Sequence, residues 1–236
     1  MKSRVLSTVT TMALIVGSTG CFGARSIERR YYMLHPSLQN VPDADQRLPG
    51  VVYVRDLEID RVYDKFKLVI RKSPYVLLYS GSHAWAVRPN RMVSDILAET
   101  LSEANVFSSV SRQLAAGRPE YELSGTIRAI EAETGSDPWR AHVAIDLQLV
   151  RFDDGRILWR YAIHDAQPMS DDLDDVPEAV SEILDRGLRR AIDDLMATAD
   201  QIRRLPPARG ARDRGRQRLA PDDEAPEPPP EEEPPE

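Results

Sequence analysis

One cysteine, Cys21, is all the chain has among its 236 residues, so it has no internal partner and a disulfide framework is excluded. Aromatic residues make up only 6% of the chain. The four histidines, His35, His83, His142 and His164, are well separated, and none has the three- or four-residue spacing of ligands on one helix. Neither a Gly-Xaa-Ser-Xaa-Gly elbow nor a glycine-rich phosphate loop occurs. These absences leave no reaction centre, so the sequence reads as a non-enzyme without a metal or a free cofactor. No apolar run reaches the roughly 20 residues that a spanning helix needs. The net charge is −7, but eight acids and no bases lie beyond Arg218 and account for all of it. The remainder is near neutral and has no basic face for nucleic acid.

What is present begins with the leader. Lys2 and Arg4 precede an apolar stretch from Val5 to Val16, then Gly17-Ser18-Thr19-Gly20 and Cys21. A basic start, a short apolar run and a small-residue exit describe a secretory signal. The thiol after Thr19-Gly20 resembles a bacterial lipobox, with Ser18 where leucine is usual. That resemblance implies cleavage before Cys21, a diacylglyceryl group on its sulfur and acylation of the new amine. One acyl chain binds a membrane only marginally, whereas two signals or more anchor it stably.

The expected organisation is a signal peptide at 1–20, a lipidated tether at 21–48, a folded domain at 49–203 and a tail at 204–236. The tail carries seven arginines between Arg203 and Arg218, then a Pro- and Glu-rich end. So many like charges with so few apolar groups cannot offset chain entropy.

Within the domain, Val51–Val54, Leu68–Ile70 and Tyr75–Tyr79 are β-rich, the last two joined by a turn at Ser73-Pro74. Met92, Val93, Ile96, Leu97, Leu101 and Ala104 recur at helical spacing after Pro89. Val106, Phe107 and Val110 make a short extended piece. Three alternating strands follow, around Tyr121–Ala129, Ala141–Leu149 and Ile157–Ile163, the last two joined by Asp153-Asp154-Gly155. Val180, Ile183, Leu184, Leu188, Ala191, Ile192 and Leu195 form the stripe of a second helix, with Asp175 and Glu178 at capping-box spacing. The acidic run Asp171–Asp175 approaches that helix start, where acids are favoured, and lacks the glycine and distal glutamate of a calcium loop. The order β-β-β-α-β-β-β-β-α predicts an α+β two-layer sandwich, a mostly antiparallel sheet covered by two amphipathic helices.

Several segments together resemble the ABC-type transport auxiliary lipoproteins, the PqiC-like partners of MCE-type lipid transport. They are Tyr32-Met33-Leu34, the run from Tyr63-Asp64 to Ile70-Arg71, Ser73-Pro74, Trp85-Ala86, the helix with Met92, Leu97 and Leu101, and Val106-Phe107. The resemblance implies a periplasm-facing lipoprotein anchored in the outer membrane. Its implied partners are an MCE-domain protein and an ABC permease and ATPase, with the lipid-anchored domain docking the component that bridges the periplasm. A ring-forming homo-oligomer would suit that role. Tyr63, Arg71, His83 and Trp85 are the candidate contact residues, since aromatic and cationic groups are enriched in binding hot spots. Tyr63 and Trp85 would equally well complete the core. An envelope scaffold acting through protein or peptidoglycan contacts, and a direct lipid carrier, are the rival readings.

Overall fold

The computed structural model describes residues 28–37, 44, 47–114 and 118–205, so Cys21 and the charged tail lie outside the described residues. Five strands precede the first helix: β1 (Arg30–Tyr32), β2 (Leu48–Val54), β3 (Glu58–Ile59), β4 (Lys67–Ser73) and β5 (Val76–Trp85). Helix α1 (Pro89–Glu103) follows, then β6 (Phe107–Ser111), β7 (Tyr121–Glu133), β8 (Arg140–Arg151), β9 (Ile157–Pro168) and helix α2 (Val176–Arg204). The two strands absent from the expected order, β1 and β3, have three and two residues, too short for alternation to show. β1 also takes residues assigned to the tether into the sheet, and Leu34 just beyond it is buried.

The predicted α+β architecture is the one observed. β7, β8 and β9 form the antiparallel meander, and β4 and β5 form the antiparallel hairpin. Gly155, at φ +70°, makes the tight turn between β8 and β9, a conformation glycine adopts without steric cost. β7 also receives β2, β3 and β4 in parallel, and β2 receives β6. These short parallel pairs close the hairpin and the meander into one sheet of nine strands.

Both helices lie on one sheet face. Leu97 and Leu101 of α1, Leu188, Ile192 and Leu195 of α2, and Leu123, Leu147 and Trp159 of the sheet enclose one apolar space. Pro89 opens α1 at its first turn, where no N–H is needed. The capping box expected for α2 does not form. A one-turn 3-10 helix (Leu173–Asp175) precedes α2, and Asp172 accepts from the Asp174 N–H there instead. Asp175 is in the αR region and makes no side-chain cap bond. Among the described residues no helix is long and apolar enough to cross a membrane.

A bulge in β7 sets the chemistry of the opposite face. Ile127 pairs with Ile145, but Ala129 pairs with Ala144, so Arg128 is the extra residue. Alternation therefore changes phase at this point. Ile130 and Ala132 turn toward the helices with Val143 and Ala141, while Glu131 and Glu133 turn to the far face.

Candidate functional site

Tyr63 and Arg71 meet over that far face, around Glu131. Glu131 belongs to the long β7 and has no exposed side-chain surface. The Tyr63 hydroxyl donates to Glu131 Oε2 at 2.9 Å, and Arg71 Nε donates to Oε1 at 2.6 Å. Arg71 Nη2 also donates to the Tyr63 oxygen at 2.8 Å, closing a triangle. His142 of β8, directly opposite Glu131 in register, places Nδ1 3.1 Å from Glu131 Oε1 and 3.6 Å from Glu133 Oε1. The His164 ring lies 5.1 Å from that of His142, tilted by 48°.

The electrostatics follow from burial. Desolvation pushes the Glu131 carboxyl up, but hydrogen bonds from His142, Arg71 and Tyr63 outweigh it and hold the group below the usual carboxylate range. Burial, reinforced by the Glu131 charge, pushes the Tyr63 phenol up to about 12. The bond to Glu131 raises Arg71 further, so the pair is ionised at neutral pH. A buried carboxylate survives here because each oxygen has a donor.

His83 belongs to a second cluster, at the sheet edge. β1 runs parallel to β5 with Arg30 beside His83 and Tyr32 beside Trp85. The Tyr32 and His83 rings stack 5.9 Å apart, within 4° of parallel. Arg30 and the Tyr32 hydroxyl both donate to Asp174 in the turn before α2. His83 Nε2 lies 3.3 Å from the same Asp174 carboxylate, and Nδ1 lies within hydrogen-bond reach of the Ser80 and Ser82 hydroxyls. Burial, then the Arg30 charge, lowers the His83 pKa, which disfavours the charged imidazolium beside Asp174. The cluster fastens β1, which lies within the expected tether, to the turn before α2.

Trp85 stands apart from both groups. It is 2% exposed and part of the continuous core, as is Tyr63 at 3%. The four candidate residues thus divide: Arg71 is partly accessible, His83 lines the edge cluster, and the two aromatics are interior. The accessible aromatic and apolar groups lie elsewhere on the same hairpin. Tyr75 at its tip is 97% exposed, and Val76, Leu78 and Tyr79 beside it are also exposed. The sequence signal for them was the unbroken run Tyr75–Tyr79, whose lack of alternation shows that both faces of the strand are apolar.

The hairpin edge is open. β5 pairs with β4 along one side, while on its other side β1 covers only His83 to Trp85, so among the described residues Val76–Ser82 have no neighbour there. A strand with unpaired backbone groups and apolar side chains is a template for a further strand.

Comparison with known proteins gives the fold and the family. The crystal structure of protein XCC0632 from Xanthomonas campestris, of the DUF330 family, is similar at 18% identity, with a TM-score of 0.60. That match covers 75% of this chain and 98% of that one. A crystal structure of an uncharacterized protein is similar at 13% identity and a TM-score of 0.54, covering 72% of this chain and 97% of that one. No curated protein matches. At these identities the two structures speak for the fold alone. The model of the ABC-type transport auxiliary lipoprotein component matches residues 32–192, from the end of β1 into α2, so it takes in the hairpin, the meander, the Glu131 cluster and, Arg30 apart, the edge cluster, and the chain belongs to that family.

Proposed function

We propose that the protein is the lipid-anchored docking subunit of an MCE-type lipid transport system. Acyl chains on Cys21 hold the domain at the periplasmic face of the outer membrane. The domain receives the end of the subunit that bridges the periplasm, and through it acts with the ABC permease and ATPase. The family match supports work beside an ABC-type transporter. The observation that carries the docking role is the β4–β5 hairpin, with its exposed Tyr75, Val76, Leu78 and Tyr79 and the open edge along Val76–Ser82. An extended segment added to that edge would satisfy the strand's free N–H and C=O groups and cover these side chains.

A direct lipid carrier finds less support. The apolar space between helices and sheet holds only about 10 Å³, room for roughly one water molecule, whereas small-molecule pockets run to about 300 Å³ or more.

Full-length protein, crosslinked in native membranes and purified, tests the role. The wild type should capture an MCE-domain protein and ABC subunits, and Tyr75→Ser with Leu78→Ser should lose them while melting at the same temperature. Capture undiminished in the double variant, or no transport subunit captured by the wild type, would overturn the docking reading. Metabolic labelling with a fatty-acid probe tests the anchor: label should enter the wild type and be absent from Cys21→Ser.

A further inference from the structure

Glu131 and Glu133 of β7, His142 of β8 and His164 of β9 come from three consecutive antiparallel strands. The register and the β7 bulge turn all four to the sheet face away from the helices. One donor atom each from Glu131, Glu133 and His142 lie within 4.8 Å of one another. A tetrahedral Zn²⁺ with ligands at about 2.0–2.2 Å sets its donor atoms about 3.3 Å apart. The His142 Nδ1 separations of 3.1 Å and 3.6 Å from the two carboxylates lie on either side of that figure.

We propose that Glu131, Glu133 and His142, with His164 swinging in as a fourth ligand, bind a divalent first-row cation of the Zn²⁺ kind. Imidazole and carboxylate together suit such an ion. The ligands stand on paired strands, which fix their positions better than loops do. Arg71 and Tyr63 orient the Glu131 carboxylate, the supporting role that a hydrogen-bonded outer shell plays at metal sites. Glu131 Oε1 accepts from Arg71 and from His142, and the lone pair now facing His142 is the one a cation would take. For ligation the His142 Nδ1 presents its lone pair to the ion, with the ring proton on Nε2. Access is from solvent, since Glu133 and His142 are partly exposed and His164 is exposed.

Among the described residues the other cluster of this type, His83 with Asp172 and Asp174, is a poorer host. Asp172 and Asp174 stand in the turn before α2, not on paired strands, so their positions are less firmly fixed.

Untagged full-length protein in detergent, stripped with a chelator and dialysed against ZnCl₂, tests the site by metal content per chain. Co²⁺ replacing Zn²⁺ reports geometry through its visible bands. Expected are stoichiometric Zn²⁺, the intense absorption of four-coordinate Co²⁺, and at least tenfold weaker binding in Glu133→Gln plus His164→Ala. Wild type and double variant should melt together in chelator, because neither residue belongs to the core. If they do not, His164→Asn alone decides, with the same tenfold weakening expected. Substoichiometric metal at saturating ZnCl₂, or equal affinity in wild type and variant, overturns the proposal.

Discussion

Glu131→Gln removes one buried charge and little volume, and its cost can be worked from the geometry. The carboxylate accepts from Tyr63, Arg71 and His142 and is wholly enclosed. Breaking a buried ion pair costs about 3–5 kcal/mol when the remaining partner is trapped. Arg71 is 28% exposed and regains some water, so about 2–3 kcal/mol is the expected loss. For a domain of this size that is roughly 4–12 °C in melting temperature. The pH dependence carries the sign. Glu131 is held below its ordinary value, so its stabilisation is complete above the unfolded-state pKa of about 4.3. It drains away as pH falls from there through the lower folded value. Urea unfolding in chelator, followed by tryptophan fluorescence, should give a constant gap between wild type and variant from pH 6 to 8. The gap should narrow once pH drops below about 4. Adding Tyr63→Phe should show coupling of at least about 0.5 kcal/mol with Glu131→Gln, since both touch Arg71. A gap under about 0.5 kcal/mol at neutral pH, or one that does not change in acid, would refute the network as a source of stability.

Trp85→Ala should destabilise by about 3–5 kcal/mol, because the ring is interior; calorimetry will show a lowered melting point, and any loss of partner capture by this variant will track unfolding, not a missing contact. Gly125→Ala should cost about 1–3 kcal/mol in urea unfolding, since a Cβ there would stand 2.2 Å from the Asp146 carbonyl oxygen, which is backbone and cannot move aside. Arg30→Ala should speed amide exchange in β1 and the turn before α2, with little change in β7, because Arg30 helps tie those two segments together at Asp174.

Much of the architecture was legible without coordinates. The 3.6-residue stripes of α1 and α2, the alternation of β8 and β9 and the Asp-Gly turn are local patterns, and each formed where the pattern placed it. The site was less legible. Tyr63 and Arg71 were two of the four candidate contact residues, and they do come together, but around Glu131, an acid that alternation gave no reason to notice. The β7 bulge is the reason. One inserted residue at Arg128 reverses which side chains face the helices, and nothing in the surrounding residue types marks it. His142 and His164 could be placed on neighbouring strands, and their 5.1 Å approach needed the register.

Sequence alone determined what depends on neighbours along the chain: helix and strand periods, the turn, the near-neutral body and the α+β order. The tertiary structure decided what depends on which face is covered. Alternation says that residues share a side of a strand, not what lies over it. Only packing buried Trp85, left Tyr75 and Leu78 in solvent, and enclosed Glu131 with an arginine, a tyrosine and a histidine from three other segments of the chain.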